Sequence, residues 1–281
     1  MSSLIEQMHM DMVLRNFSPK TLKSYAWHIQ QFQDFFAGQT VEDLGEEDIR
    51  RYLYHLKTEK KRSNSTLAQA FSALKFLYRE VVKMPLTLTK LRGPKRIHRL
   101  PIVLSRDEVQ RVLFAVDNRK HRLMFMTTYS AGLRVSETTH LRVSDIDSKR
   151  MMIRVDQGKG KKDRYTLLSK ELLVRLREYW SYYRPKTWLF PGGNPANPVN
   201  TATLQKVFQV ARKKAGIVKP ATVHSSRHSF ATHLLEQGVS LFTIQHLLGH
   251  AHIQTTMVYL HIQDNQKTAI INPLDAMLEE D

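Results

Sequence analysis

Apolar residues at Leu22, Tyr25, Ile29, Phe32 and Phe36 recur at intervals of 3, 4, 3 and 4, which lays one apolar face along a helix. Ser18-Pro19 supplies an N-cap followed by a proline at the first helical position, and Gly38 ends the run. Glu46 and Glu47 open a second helix with Ile49, Tyr52, Leu53 and Leu56 inward; acidic residues suit a first turn. Ser63-Asn64-Ser65 caps a third, carrying Leu67, Phe71, Leu74, Tyr78 and Val81. With a short helix before residue 15, the pattern predicts a four-helix domain whose aromatics form its core.

From Met84 to Val103 the pattern breaks. Three prolines (Pro85, Pro94, Pro101) and five basic residues (Lys90, Arg92, Lys95, Arg96, Arg99) stand there without an acid. Prolines at this density favour an extended segment, read here as a basic linker that lies along a phosphate backbone or is a solvated hinge. Ser105 and Glu108 then form a capping box ahead of Val109, Val112 and Leu113. A helix follows over about Arg122–Ser130, and two strand-like runs, Met151–Val155 and Arg164–Leu168, flank the Gly-rich turn 156–163, which suggests a hairpin. Helical patterns resume from Lys170 and return over Thr201–Lys214, Ser226–Gln237, Leu241–Leu248 and His252–Leu260, with Gly192–Pro195 as a loop. The fold class expected is mainly α with a small β-sheet or hairpin.

Composition narrows the partners. The chain has 281 residues, 43 Lys+Arg against 26 Asp+Glu, a net charge of +17, and no cysteine. That length predicts two domains, and a hydrophobic share of 42% supports a packed core. The missing cysteines exclude disulfides, Cys-ligated zinc, Fe–S clusters and thiol nucleophiles. No apolar run approaches the roughly 18 residues of a membrane span, and the N-terminus lacks a signal-peptide core, so a cytoplasmic protein is expected. The positive field favours a polyanion: nucleic acid first, an anionic membrane surface second, with simple solubility as the bland alternative.

Seven of the thirteen histidines lie between His224 and His261. His224 and His228, four apart, share a helix face, yet there is no H-E-x-x-H, and Glu236 is the only carboxylate from Pro220 to Ile262. A phosphate site fits better than a metal. Arg134 and Arg227 carry guanidinium groups that fork onto phosphate oxygens, and with imidazoles they can stabilise a phosphoryl-transfer transition state without Mg²⁺. Tyr259 is the candidate nucleophile. Taken singly, each of these has a plain alternative: an arginine in a salt bridge, a tyrosine in the core.

Five segments occur in order: Ala131-Gly-Leu-Arg-Val-Ser-Glu137; Gly158-Lys-Gly-Lys-Lys-Asp-Arg164; His224-x-x-Arg227-His-Ser-Phe-Ala-Thr-His233; Leu247-Leu-Gly-His250; and Thr255-Thr-x-x-Tyr259. Arg134 and Lys159 are 25 residues apart, Arg227 and His250 are 23, and His250 and Tyr259 are 9. Together they resemble the tyrosine recombinase (phage integrase) family over essentially the whole chain, most closely its compact Xer-like and mobile-element members.

The resemblance implies a C-shaped, two-domain DNA clamp: a SAM-like core-binding domain at 1–88, a basic linker at 89–103 and a catalytic domain at 104–281. It implies site-specific cleavage and rejoining of DNA through a 3′-phosphotyrosine, for integration, excision or resolution, with no cofactor and no metal. Tyr259 is then the nucleophile, and Arg134 and Arg227 clamp the non-bridging oxygens. Lys159 protonates the leaving 5′-oxygen, with Lys161 as its rival. His224 acts as base or proton shuttle, and His250 hydrogen-bonds the phosphate. Lys161, Lys162 and Arg164 contact phosphates or merely line a solvated hairpin, and Arg92, Lys95 and Arg96 lie along DNA. Gly132 lets the chain turn before Arg134, and Glu137 is a structural partner of basic groups. Ser226 stands where the family has an inward-packing Leu, which forfeits some apolar burial. The partners implied are duplex DNA and, in the synaptic complex, a homotetramer with Ile270–Leu278 docking on a neighbour, from a monomer or weak oligomer off DNA; whether a second recombinase or DNA-bending protein also takes part stays open. A type IB topoisomerase and a catalytically silent DNA-binding protein are the alternatives. The small helical first domain and the short spacing before Tyr259 argue against the first, and the complete residue set against the second.

Overall fold

A computed structural model of the chain describes residues 4–84, 93, 100–156 and 163–260. The chain forms two compact units, Met1–Arg99 and Leu100–Asp281.

The first unit is helical: α1 (Leu4–Leu14), α2 (Pro19–Phe35), α3 (Glu46–Thr58) and α4 (Asn64–Phe76), the last continued by a π-helical turn at Leu77–Val81. Its helix starts follow from side-chain caps. Ser18 accepts from the Thr21 N–H and Ser63 from the Thr66 N–H, while Asp48 reaches back to the N–H of Gly45 at 3.0 Å. Ile29, Phe32, Tyr52, Leu74 and Tyr78 are buried at the centre, with Phe32 meeting Tyr52 edge-on at 5.2 Å. The Tyr78 hydroxyl donates to the carbonyls of Val41 (2.9 Å) and Leu44 (3.1 Å), which ties the turn after α2 to the end of the last helix.

The second unit is built on α5 (Arg106–Phe114), α6 (Arg119–Ser130), α7 (Val135–Thr139), α8 (Lys170–Tyr183), α9 (Thr201–Lys214), α10 (Val223–Glu236), α11 (Leu241–Leu248) and α12 (Gln254–Met257). A three-stranded antiparallel sheet runs in the order β1 (Ile146–Asp147), β2 (Met152–Val155), β3 (Arg164–Leu167). Its register pairs Met152 with Leu167 and Val155 with Arg164. The capping box at the start of α5 forms as read: Ser105 accepts from the Glu108 N–H and Glu108 from the Ser105 N–H. Strand β1 and helix α7 are too short to leave a periodic signal, and the sequence does not reveal them. Helix α10 starts at Val223, ahead of the expected Ser226, and α12 covers only part of the expected 252–260.

Helix α10 is the axis of this unit. Ten of its residues are buried, among them Ser225, Ser226, Arg227, Ser229, Thr232 and His233. Buried polar groups on such a helix are costly unless bonded, and several of these are bonded, although Thr232 Oγ1 has no partner. Ser229 accepts from the Leu104 N–H at 2.9 Å and His233 Nδ1 is 2.9 Å from the Tyr129 hydroxyl, so α10 is pinned to the start of the unit and to α6. Ser226 does turn inward, being 5% exposed. A second apolar cluster, Phe230, Ala231, Leu235, Ile244, Leu248 and Tyr259, joins α10 to α11 and to the residues after α12.

Replacing Tyr78 by Phe takes the hydroxyl donor from two buried carbonyls and leaves that of Val41 only the Leu44 N–H. Urea unfolding of the full chain is expected to show the first unit destabilised by about 1–3 kcal/mol, with the second unit's transition unmoved.

Candidate active site

The site begins where α6 stops. After Ser130 the chain turns at Gly132, whose φ of +61° suits glycine; a Cβ there would stand 2.4 Å from the Phe230 ring. The turn delivers Arg134 to the N-cap position of α7. One turn on, Glu137 accepts from the Arg134 backbone N–H at 2.8 Å and from its guanidinium at 2.6 Å.

The same carboxylate takes a two-pronged contact from Arg164, at 2.9 and 2.7 Å, and lies 3.7 Å from the Arg227 guanidinium. Three arginines, from the start of α7, the start of β3 and the second turn of α10, thus face one acid whose side chain is 7% exposed. Burial alone would push the Glu137 pKa up. The hydrogen bonds and charge of Arg164, and then those of Arg134, outweigh this and hold it at about 2.

Arg164 is therefore not solvated as a surface hairpin residue would be: its guanidinium is bonded to protein atoms. Its side chain is 9% exposed, and its Nε donates to the Leu247 carbonyl at 2.9 Å. Its stem passes over Gly249, where a Cβ would sit 2.6 Å from the Arg164 Cδ. A fork with all three of its nitrogens engaged has little to offer a phosphate. Gly249 ends α11 at φ +64° and leads to His250.

Arg227 is 4% exposed and donates to two carbonyls, Gly132 at 2.7 Å and Leu248 at 2.6 Å. Burial, and then the charge of Arg134, bring its pKa down to about 9; the guanidinium remains charged at neutral pH. Those two bonds fasten together the turn before Arg134 and the turn before His250. His250 Nδ1 lies 2.9 Å from Thr256 Oγ1, and burial followed by Arg227 and Arg134 holds its pKa at about 3. His224, exposed on the first turn of α10, is lowered by the protein atoms around its ring, then by Arg227 and Arg134.

Tyr259 is 1% exposed. Its hydroxyl is 2.9 Å from His228 Nδ1. Burial raises the phenol to about 12, against the opposing pull of Arg227 and Arg134. Burial, then His224 and Arg227, lower His228 to about 4. The structure thus brings Arg134, His224, Arg227, His250 and Tyr259 into one electrostatic neighbourhood. Lys159, Lys161, Lys162, Arg92, Lys95 and Arg96 lie outside the described residues, as does the segment Ile270–Leu278. Among the described residues, no group of three or more His, Cys, Asp or Glu side chains is arranged to hold a metal ion. The sequence shows the adjacency of His228 to Arg227, but its closeness to Tyr259, 31 positions on, needs the fold.

Glu137→Gln removes the one anion from a buried arginine cluster. The variant is expected to lose about 3–5 kcal/mol of stability at pH 7 in urea unfolding. Because the folded-state pKa is depressed, the wild type holds this stabilisation above about pH 4.5 and loses it as pH falls toward 2. The variant's stability should lack that slope.

Comparison with known proteins agrees with this geometry. Residues 103–266 match the phage integrase family and residues 4–88 match the phage integrase N-terminal SAM-like domain. The chain is 42% identical over 280 residues to a Sinorhizobium fredii protein that carries the name integrase/recombinase y4qK, covering 99% of this chain and 90% of that one. It is 35% identical to a tyrosine recombinase of Pseudothermotoga lettingae, covering 94% of each. A lambda integrase tetramer bound to a Holliday junction shares its fold with a TM-score of 0.76 at 21% identity, over 91% of this chain and 76% of that one. The chain belongs to the phage integrase family, the tyrosine recombinases, which cleave and rejoin DNA.

Proposed function

We propose that this protein is a site-specific recombinase in which Tyr259 attacks a DNA phosphodiester and forms a 3′-phosphotyrosine, releasing a 5′-hydroxyl. The observation that carries the reading is that the Tyr259 phenol lies in the field of Arg134 and Arg227, while Arg227 is held by carbonyls on either side of the site. Two guanidiniums so fixed bind the non-bridging oxygens and stabilise the charge that builds up on them, without reorganising at the moment of reaction. His250 hydrogen-bonds the phosphate, and His224, open to solvent, shuttles protons at the rim. Lys159 protonates the leaving 5′-oxygen. The covalent link stores the energy of the broken diester, so attack by a 5′-hydroxyl of another duplex completes exchange without ATP, metal or cofactor.

The nucleophile rests inside the protein, so the phenol must be uncovered before it can react. The helical unit and the catalytic unit would each contact the duplex, with the basic linker (Arg92, Lys95, Arg96) along the backbone. Phosphate contacts of this kind position the protein and carry little sequence choice. On DNA the protein would work as a tetramer, with Ile270–Leu278 docking on a neighbour, alone or with a second recombinase or a bending protein. Among the described residues no helix is long and apolar enough to cross a membrane, and a cytoplasmic enzyme acting on nucleoid DNA fits that chemistry.

The test is covalent trapping on nicked duplexes from the gene's own flanking DNA, with EDTA present and products separated under denaturing conditions. Wild type should form the adduct. Tyr259→Phe should form none yet still bind DNA, and an adduct in that variant would overturn the assignment. Arg134→Lys should cleave about 10²–10³-fold more slowly, since a point charge does not replace the fork.

A further inference from the structure

Three imidazoles surround the two guanidiniums, and the sequence gives a role in cleavage to only two of them. The third, His228, follows Arg227 and lies one helical turn beyond His224. Its ring centre is 5.8 Å from that of Tyr259, and its Nδ1 is 2.9 Å from the phenolic oxygen. His250 has its own Nδ1 engaged with Thr256, and His224 faces solvent. A general base must be within hydrogen-bond reach of the proton that it removes, and His228 meets that condition.

We propose that His228 is the base for strand cleavage, its Nδ1 taking the Tyr259 phenolic proton as the phenolic oxygen attacks phosphorus. The inference rests on Tyr259 being the nucleophile. In the step, the phenolic O–H bond breaks and its proton passes to Nδ1. The bond from the phenolic oxygen to phosphorus forms, the bond from phosphorus to the 5′-oxygen breaks, and that oxygen leaves with a proton from the hairpin acid. Rejoining runs in reverse: the attacking 5′-hydroxyl gives its proton to that acid, and His228 returns its own to Tyr259. His224 then has no part in activating the nucleophile.

Without DNA the pair is idle. The groups facing it are His224 and Arg227 on α10, Arg134 at the start of α7 and His250 after α11. All are basic, and Glu137, which pairs with the arginines, also acts on His224. Burial and these charges keep the imidazole neutral and a weak base, while burial keeps the phenol protonated. A phosphodiester seated between Arg134 and Arg227 adds a negative charge to this field and raises the imidazole toward the working pH. The substrate itself thereby switches on the base.

The test is single-turnover cleavage by the full chain, over about pH 5.5 to 9, on a nicked duplex that yields the wild-type adduct. His228→Asn places an oxygen where Nδ1 was, so it can accept the phenol's hydrogen bond but cannot carry its proton. The expected result is cleavage about 10²-fold slower or more, DNA binding unchanged, and a residual rate that climbs with pH throughout, where the wild type climbs only until the imidazole is deprotonated and then levels off. A wild-type rate with a wild-type pH profile overturns the proposal. A second measurement needs no altered protein: nitrogen NMR of histidine-labelled wild type, with the His228 signal assigned by its loss in the Asn variant. An unprotonated Nδ1 with a protonated Nε2 is expected at neutral pH, and a protonated Nδ1 overturns the proposal even if the variant folds poorly. Tyr259→Phe in the same assay separates the two claims. An adduct in that variant defeats the nucleophile reading, whereas its absence beside full activity of His228→Asn defeats only the base.

Discussion

One buried carboxylate makes the rest of the catalytic unit possible. Arg134, Arg164 and Arg227 are like charges gathered from three elements, and without Glu137 they would repel one another in a poorly solvated space. With it, the arginines become a fixed lattice. Each then makes a second attachment: Arg134 starts α7, Arg164 holds the turn at the end of α11, and Arg227 holds the turns before Arg134 and before His250. Chemistry and architecture therefore share the same hydrogen bonds, and the site is positioned by the fold it helps to close.

The lattice also divides labour among residues that look alike in sequence. Arg164 spends its donors on protein atoms, while Arg134 keeps part of its surface open, its side chain being 22% exposed. The imidazoles divide similarly. His250 leans on Thr256, His224 meets solvent and His228 meets the phenol. Neighbours, not residue type, decide which of these groups faces a substrate.

Much of this was legible in the chain. The 3-and-4 spacing from Leu22 to Phe36, the serine caps at Ser18, Ser63 and Ser105, and the paired runs around the Gly-rich turn mark elements that form, because each rests on local hydrogen bonding or on one apolar face. Helix α10 starts ahead of the expected Ser226 because most of its residues, polar ones included, are buried, so its Val223 start gives little periodic signal. The ordered motifs drew Arg134, Arg227, His250 and Tyr259 together from sequence. The inward role of Arg164 was hidden because an arginine beside Lys161 and Lys162 reads as surface charge; only the fold places Glu137 27 positions away in space beside it. His228 was weighed as a metal ligand beside His224, since helical spacing reports neighbours on one helix and not what packs against them.

The depth of the Glu137 cluster has a consequence for how the protein answers ionic strength. Mobile ions screen charges that water reaches, over about 8–10 Å at ordinary concentrations, but they act much less on a pair enclosed by protein. The chain's surplus of +17 belongs largely to the outside, where each phosphate contact releases counterions and weakens as salt rises. The arginine lattice belongs to the inside. Salt can therefore lift such a protein from a polyanion while leaving its arginines in register, so that dissociation and re-engagement do not require the site to be rebuilt.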